Sequence, residues 1–191
     1  MSKLIFRYGT MGSAKTAQAL MKRYNYEEKG IKVWLIKPST DTRDDRADGV
    51  TVIRSRIGLE AQARAIGREE NIEELFRAER GCSVIICDES QFLTPKQVEE
   101  LKAISSEYGI PVLCYGLRTD FQTHLFQGSQ RLFELADEIG ELQSVCACGE
   151  PACVNARIDA AGHIVREGEQ IVLGGNDRYV SMCWRCWKKG K

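Results

Sequence analysis

The stretch Gly9-Thr-Met-Gly-Ser-Ala-Lys-Thr16 decides the fold of this 191-residue chain. It lies between residues 3–8, a short run of β-type residues, and residues 17–26, which combine good helix formers with apolar residues at helical spacing. Its order follows the pattern G-x-x-x-x-G-K-[ST] of a phosphate-binding loop, or P-loop, which joins a strand to a helix. The sequence therefore predicts a nucleotide-binding α/β fold.

The loop residues have the chemistry that a bound triphosphate requires. Backbone N–H groups of such a loop point inward and bind phosphates at a helix N-terminus. Lys15 would bridge the β- and γ-phosphates, and the Thr16 hydroxyl would ligate Mg²⁺. Ala14 stands where the second glycine of the pattern belongs, and its methyl group would crowd the phosphate or disfavour a positive φ. The predicted ATP-binding residues of this stretch are Gly9, Thr10, Met11, Gly12, Ser13, Ala14, Lys15 and Thr16.

Apolar runs alternate with helical patterns as far as residue 143. Each run is continuous, which is typical of strands buried on both faces of a parallel sheet. We therefore predict an α/β domain, residues 1–143, with a parallel sheet that helices cover on both faces. The predicted strands are residues 32–37, 50–54, 83–87, 111–115 and 138–142, and the predicted helices are 59–80 (one or two), 95–108 and a short one around 132–135.

Two acids stand directly after the predicted strand of residues 83–87. They are Asp88 and Glu89. In P-loop enzymes an acid at the end of a hydrophobic strand lies near Mg²⁺, and ligands of open α/β sheets bind beyond the carboxyl ends of the strands. We expect one acid to hold the metal, directly or through water, and the other to take a proton from an incoming hydroxyl. The alternative is that the pair only caps the next turn.

Cysteines mark a second, smaller lobe at residues 144–191, where the helical period is lost and Cys, Gly and Trp are frequent. Two cysteine pairs separated by a hairpin-length stretch fit a tetrahedral zinc site, which four protein ligands would make structural rather than catalytic. Cys153 is an alternative ligand with poorer spacing, and four buried free thiols are the other alternative. The predicted zinc ligands are Cys146, Cys148, Cys183 and Cys186.

The charge balance argues against a nucleic-acid partner. Lys and Arg total 27, as do Asp and Glu, whereas bulk binding to nucleic acid needs a basic excess. No apolar run approaches the roughly 20 residues of a membrane span. The start of the chain lacks the apolar region and cleavage site of a signal peptide, so we expect a cytoplasmic enzyme and read the eight cysteines in a reducing compartment.

The P-loop, the acidic strand end and the cysteine lobe together resemble the zinc-containing thymidine kinases, the cytosolic animal and common bacterial type. The resemblance covers essentially the whole chain. It implies transfer of the ATP γ-phosphate to the 5′-hydroxyl of thymidine or deoxyuridine, with Mg²⁺, a homotetramer and feedback inhibition by dTTP. The stretches that carry it are the P-loop, Asp41-Thr-Arg43, Cys87-Asp-Glu-Ser-Gln-Phe92, Gly116-Leu-Arg-Thr-Asp-Phe-Gln122, Cys146-Ala-Cys-Gly149 and Gly174-Gly-Asn-Asp-Arg-Tyr-Val-Ser-Met-Cys183.

The resemblance also assigns roles to individual residues. Glu89 matches the general base, and Asp88, Glu89, Ser90 and Gln91 match a stretch that lines the ATP site. Arg43 matches a residue near the transferred phosphate. The remaining matches wall the nucleoside pocket or close over the base, and they are Met11, Phe92, Leu117, Phe121, Phe126, Asn155 and Tyr179.

Two other classes of function are open to this sequence. A P-loop and zinc-ribbon module could bind nucleic acid or a protein partner without turnover, and Ala14 with the cysteine lobe motivates that alternative. A general P-loop ATPase would use water as the acceptor, which a closed aromatic pocket argues against.

Overall fold

The computed structural model describes residues 3–42, 49–79, 81–172 and 178–190. Arg43, a predicted substrate-binding residue, lies outside these ranges. The helices are α1 (Lys15–Glu27), α2 (Ile72–Ala78), α3 (Pro95–Glu107), α4 (Gln127–Leu135) and α5 (Trp184–Lys189), with a 3-10 turn at Ser90–Phe92. The strands of the first 143 residues are β1 (Leu4–Tyr8), β2 (Val33–Pro38), β3 (Val52–Arg54), β4 (Glu60–Gln62), β5 (Arg64–Ile66), β6 (Val84–Cys87), β7 (Val112–Gly116) and β8 (Glu138–Glu141). The later strands are β9 (Ser144–Val145), β10 (Pro151–Ala152), β11 (Val154–Ile158), β12 (Ile164–Val165) and β13 (Tyr179–Met182).

A six-stranded parallel sheet forms the centre of the fold. Its strand order is β5-β2-β6-β7-β1-β8. Because β6, β7 and β1 are neighbours, their carboxyl ends lie side by side at one edge of the sheet. The P-loop follows β1 and the acidic pair follows β6, so this strand order brings the two sequence signals together.

Helices cover both faces of the sheet, as the continuous apolar strands predict. On one face, Leu4, Phe6 and Ile85 pack in a core that also holds apolar residues of α2, α3 and α4. On the other face, Ile86 and Leu113 pack with residues of α1 and β3. Consecutive strand residues therefore enter different cores, which is why the inner strands β6 and β7 are continuous apolar runs, whereas the edge strand β8 (Glu-Ile-Gly-Glu) is not.

The prediction of one or two helices across residues 59–80 is wrong for the first part of that segment. β4 pairs with β3 as an antiparallel hairpin, β5 adds to the edge of the sheet beside β2, and only α2 is helical. The composition of Glu, Ala, Gln and Arg favours helix, but propensity is a weak prior that strand pairing overrides. Here the edge of β2 supplies the backbone partners, and Ile66 is buried against the core.

The C-terminal lobe consists of short antiparallel strands and α5. β11 is the middle strand between β12 and β13, and β9 pairs with β10. Among the described residues of the lobe, the buried apolar side chains form two small clusters: Cys146, Ala152 and Cys183 form one, and Val154, Ala156 and Trp187 form the other. Within the described ranges, no helix has the length and apolar character needed to cross a membrane.

Candidate active site

The phosphate loop turns directly from β1 into α1. Ala14 adopts the left-handed conformation, with φ 60° and ψ 23°, and its carbonyl accepts the hydrogen bond of Gln18 N–H at 2.9 Å. The residue that departs from the motif thus keeps the backbone shape that glycine normally provides, at a strain of about 1–2 kcal/mol. Its side chain is exposed and lines the cleft at the helix N-terminus.

Lys15 is buried beneath the loop. Its ammonium donates to the carbonyls of Gly9 and Thr10, at 3.2 and 2.7 Å, and to the Ser13 hydroxyl at 3.4 Å. These contacts hold the positive charge at the centre of the loop, where the backbone N–H groups of the helix start also converge. The site therefore has a positive floor for an anion.

Asp88 follows β6 on the opposite side of the cleft and is almost fully buried. Removal from water raises the pKa of its carboxyl to about 7, with a further contribution from the adjacent Glu89 carboxylate. A hydrogen bond from the Thr16 hydroxyl and the charge of Lys15 act in the opposite direction. Thr16 and Asp88, the two oxygen donors that the sequence assigns to magnesium, are therefore in contact.

The turn after Asp88 fixes the direction of Glu89. Glu89 has φ 50° in the left-handed region, and one of its carboxylate oxygens accepts from the Gln91 amide at 2.6 Å. Gln91 in turn accepts from Leu117 N–H at 2.9 Å, and the Ser90 hydroxyl donates to the Tyr115 carbonyl at 2.9 Å. The whole turn is thus held by the end of β7.

Glycine at position 116 permits this close approach. A Cβ atom there would lie 2.7 Å from the Ser90 hydroxyl oxygen and 2.8 Å from the Gln91 side-chain oxygen. Neither oxygen can move away without losing its hydrogen bond, which joins Ser90 to the Tyr115 carbonyl and Gln91 to Leu117 N–H. Gly116 is therefore required for the position of the acidic turn.

An open cleft of about 390 Å³ lies over the phosphate loop. Its walls include the P-loop, Asp88, Glu89 and Asp41, and its outer side is the turn of the β3–β4 hairpin. Asp41 is buried and forms an ion pair with Lys37 at 3.5 Å. The hairpin, which presents Ser55 and Arg56, was absent from the sequence prediction because this segment reads as helical.

A second cavity, lined by aromatic residues, adjoins the cleft. Its volume is about 50 Å³, far below the several hundred Å³ of a typical ligand pocket. Phe92 and Phe126 meet edge to face with ring centroids 5.6 Å apart. The sequence-predicted residues that line it are Met11, Glu89, Gln91, Phe92, Leu117, Phe121, Phe126, Asn155 and Tyr179, and the further ones are Thr119, Asp120, Gln170, Ile171 and Val172.

Met11, Glu89 and Leu117 line both cavities. Glu89 is the acid among them. A group bound in the aromatic cavity and a phosphate bound over the P-loop would therefore meet on either side of one carboxylate. This arrangement suits transfer between two bound molecules, because a base must lie within hydrogen-bond reach of the proton that it removes.

The C-terminal lobe is attached to the P-loop through backbone groups of Met11. Asn155 accepts from Met11 N–H at 2.7 Å, and the Ser181 hydroxyl donates to the Met11 carbonyl. The Asn155 amide also donates to the Thr119 carbonyl at 3.2 Å, and the residue is buried. Both ends of the Asn155 side chain are thus hydrogen-bonded within the protein, and the residue also lines the aromatic cavity; its contact with the substrate stays a prediction.

The four predicted zinc ligands come together in the lobe. The Sγ atoms of Cys146, Cys148, Cys183 and Cys186 all lie within 4.8 Å of one another, close to the spacing of about 3.8 Å that tetrahedral Zn–S bonds of about 2.3 Å require. Backbone N–H groups of Cys148 and Cys183 lower the pKa of Cys146 to about 6, which favours the thiolate that binds metal. Neighbouring sulfurs, Cys148 first, raise the pKa of Cys186 to about 12, an effect that a bound cation would reverse.

Cys153, the alternative ligand, is not part of this group within the described residues. Its carbonyl accepts from Arg118, and its N–H donates to Met182. Cys82, Cys87 and Cys114 are buried in or beside strands, as the sequence indicates.

The parallel sheet, the P-loop at its carboxyl edge and the acidic end of β6 define a P-loop nucleotide-binding enzyme with a second, aromatic cavity beside the phosphate site. Comparison with known proteins agrees with this class and narrows it. The family described as thymidine kinase matches residues 2–187. The chain belongs to the thymidine kinase family.

Individual relatives extend over the whole chain. A thymidine kinase of Legionella pneumophila strain Lens is 44% identical over 195 residues, covering 100% of this chain and 91% of that protein. Those of Zymomonas mobilis and Rhizobium meliloti are each 42% identical, with 97% and 98% of this chain covered and 95% and 96% of theirs. Among solved structures, a Pif1 helicase from Candida albicans overlaps with 74% of this chain and 36% of its own at 14% identity and a TM-score of 0.42.

Proposed function

We propose that this nucleoside kinase transfers the γ-phosphate of ATP to the 5′-hydroxyl of thymidine or deoxyuridine, giving the monophosphate for DNA precursor salvage, with Glu89 as the general base. The position of Glu89 carries the proposal, because this carboxylate lines both the phosphate-loop cleft and the aromatic cavity. A 5′-hydroxyl at the boundary would have the base on one side and the γ-phosphate on the other. General-base assistance of this kind contributes roughly 10²–10⁴-fold in rate.

On the phosphate side, the P-loop backbone and Lys15 would hold the β- and γ-phosphates. Thr16 and Asp88, already in hydrogen-bond contact, would hold Mg²⁺, directly or through water. Magnesium supplies charge neutralisation on the phosphate oxygens. Ser90 and Gln91 keep the acidic turn in place through the end of β7. The role of Arg43 near the transferred phosphate stays a prediction.

On the acceptor side, Phe92, Phe121 and Phe126 would wall the flat base, and Leu117 and Met11 would lie toward the phosphate. The Tyr179 hydroxyl donates to Val172 and accepts from Arg157, so Tyr179 would offer its ring rather than its hydroxyl. Asn155 would act through Met11 rather than on the base. Recognition of the pyrimidine edge would then fall to backbone groups of residues 170–172, which line the cavity.

The cysteine group would hold a structural Zn²⁺. Its four thiols fill a tetrahedral set, which leaves no open position for catalysis. In the part of the lobe that the structure describes, the buried apolar residues form two small clusters, so the metal would supply much of its stability. The same lobe contributes Asn155 and Tyr179, which makes the metal a support for the acceptor cavity.

Further expectations follow from the family resemblance. They are a homotetramer, feedback inhibition by dTTP, a division of the chain into an α/β domain of residues 1–143 and a zinc lobe of residues 144–191, and a cytoplasmic location. Thiols grouped for metal rather than for disulfides suit a reducing compartment. The enzymatic alternative without a nucleoside acceptor, hydrolysis by water, remains for the experiment to exclude.

The decisive experiment supplies purified protein with MgATP and thymidine, deoxyuridine, uridine, a deoxypurine nucleoside or no nucleoside. We expect a monophosphate from the first two and little ADP without an acceptor. The absence of any thymidine monophosphate would contradict the proposal. Phosphate release at a rate that nucleosides do not change would instead support a general ATPase.

A further inference from the structure

Arg157 is a buried, charged residue that belongs to none of the P-loop, the acidic strand end and the cysteine group. It lies on β11, the middle strand of the three-stranded sheet in the lobe, and only 8% of its surface is exposed. Its guanidinium stacks on Phe121, with the central carbon 3.7 Å from the ring centroid. Phe121 is itself a wall of the aromatic cavity. Arg157 therefore lies directly behind the predicted nucleoside pocket.

The guanidinium donates four hydrogen bonds. Nη1 donates to the Glu169 carbonyl at 2.9 Å, and Nη2 donates to the Gln170 carbonyl at 3.3 Å. Nε and Nη2 both donate to the Tyr179 hydroxyl, at 3.1 and 2.9 Å. The Tyr179 hydroxyl in turn donates a hydrogen bond to the Val172 carbonyl at 2.8 Å. Arg157 thus holds residues 169–172 directly at two backbone carbonyls and, through the Tyr179 hydroxyl, at a third.

The hydrogen-bond partners of Arg157 are neutral. Among the described residues they are two backbone carbonyls and one phenol hydroxyl, with no carboxylate, so the guanidinium forms no ion pair with them. The planar fork of arginine can stack on a ring with one face while its edge donates to several acceptors, which lysine cannot do. The side chain therefore joins a rigid wall of the cavity, Phe121, to a segment that has no secondary structure of its own.

Residues 170–172 close the cavity on the side facing solvent. Gln170, Ile171 and Val172 line it, while Gln170 and Ile171 are exposed on their other side. Among the described residues, one further polar contact fixes the segment, from the Gln170 amide to the Asp120 carboxylate at 2.9 Å. Without Arg157, these residues would hold the segment through this contact and the Tyr179–Val172 bond.

We propose that Arg157 is a positioning residue for the acceptor nucleoside: it fixes residues 169–172 and the ring of Tyr179 against Phe121, so that their backbone groups face the bound base. This inference rests on the proposed function. It assigns to Arg157 an effect on nucleoside binding that leaves the phosphate cleft unchanged, because Arg157 does not line that cleft.

Arg166 provides a matched control within the same lobe. It also stacks on an aromatic ring, 4.5 Å from the Trp187 centroid, and also donates to a backbone carbonyl, that of Trp187 at 2.6 Å. It lines neither cavity. General loosening of the lobe would follow from either substitution, whereas loss of the acceptor wall would follow only from a change at position 157.

The experiment compares the wild type with Arg157→Met, Tyr179→Phe and Arg166→Met, each checked for zinc content and melting temperature. Steady-state kinetics are measured by varying thymidine at saturating MgATP and then MgATP at saturating thymidine. We expect Arg157→Met to raise the KM for thymidine about tenfold or more while the KM for ATP stays within about twofold. Tyr179→Phe, which removes only the relay hydroxyl, should raise the thymidine KM about threefold, and Arg166→Met should change it less than about twofold.

Each result bears on a different statement. A thymidine KM within about twofold of the wild type in Arg157→Met overturns the inference, as does an equal rise in Arg166→Met. If Arg157→Met does not fold, Tyr179→Phe decides by the same criterion. If the wild type phosphorylates no nucleoside, the proposed function itself is contradicted. The other outcomes bear only on Arg157 and leave the proposed function standing.

Discussion

The phosphate-loop cleft and the aromatic cavity share three lining residues, yet the chain builds them in opposite ways. The cleft is centred on the contiguous P-loop, with further walls from the turn of the β3–β4 hairpin and the acidic pair, and its volume is about 390 Å³. The cavity collects residues from segments as distant as Met11 and Tyr179, and it is small, at about 50 Å³. Phosphates look alike in all triphosphates and can be bound by backbone alone, whereas a base must be enclosed to be distinguished from others.

Glu89→Gln tests the carboxylate that the two sites share and should have the largest effect. We expect kcat to fall roughly 10³-fold, because the amide cannot accept the proton of the acceptor hydroxyl, with the KM values for both substrates within about threefold. Glu99→Gln, an exposed acid paired with Arg131, is the control and should leave kcat unchanged. Wild-type kcat in Glu89→Gln would remove the general base from the proposal.

Cys183→Ser tests whether the metal supports one site or both. We expect loss of zinc and a rise of about tenfold or more in the KM for thymidine, since the lobe that carries Asn155 and Tyr179 loses its main support. Binding of an ATP analogue should weaken less, because its loop belongs to the α/β sheet. Cys153→Ser, which changes a thiol of the same lobe outside the group of four, should keep its zinc. Full zinc content in Cys183→Ser would contradict the assigned ligand set.

Asn155→Ala breaks the attachment between the lobe and the P-loop. It leaves Met11 N–H and the Thr119 carbonyl without their partners, which should lower the free energy of unfolding by about 2 kcal/mol. Because Met11 lines both sites, the KM values for ATP and thymidine should rise together, in contrast to the selective effect at Arg157. Asn155→Asp keeps the acceptor for Met11 N–H and should retain more of the ATP affinity. A change in the thymidine KM alone would argue against this attachment.

Ala14→Gly should have the smallest effect, and we expect that effect to be limited to the phosphate cleft. Glycine adopts φ 60° without the strain of a Cβ atom, so we expect a gain of about 1 kcal/mol in stability and an equal or lower KM for ATP. Urea unfolding and ATP kinetics measure both. Ala17→Gly, at a buried position inside α1, is the control and should lose stability. A large rise in the ATP KM of Ala14→Gly would mean that the methyl group contributes to the loop geometry.

The difference between the two sites also explains how much the sequence could predict. Three local patterns were predictable: the P-loop, the apolar strand that precedes Asp88, and the two cysteine pairs. In the structure the P-loop and Asp88 line one cleft, and the two cysteine pairs form one group of four. The contact of Asn155 with Met11 joins residues 144 apart in sequence, and no local pattern indicates it. The same holds for Arg157, whose carbonyl partners Glu169 and Gln170 lie on a segment without periodicity.

The sequence prediction missed the β3–β4 hairpin for a different physical reason. Its residues favour helix when they are taken by themselves, and only the paired strands β3 and β2 make extended structure the better choice for residues 60–66. The hairpin then brings Ser55 and Arg56 to the phosphate cleft. A predictor restricted to local propensity would therefore miss both the fold of this segment and its place in the site.

The attachment of Met11 has a consequence for engineering new acceptor specificity. Asn155 and Ser181 hydrogen-bond to backbone groups of Met11, its N–H and its carbonyl, and not to its side chain. Met11 lines both the aromatic cavity and the phosphate-loop cleft, and a substitution of its side chain leaves these two backbone anchors in place. Position 11 is thus a place where a library of substitutions could admit bulkier nucleoside analogues, including prodrugs that need a first phosphorylation, without rebuilding the phosphate site.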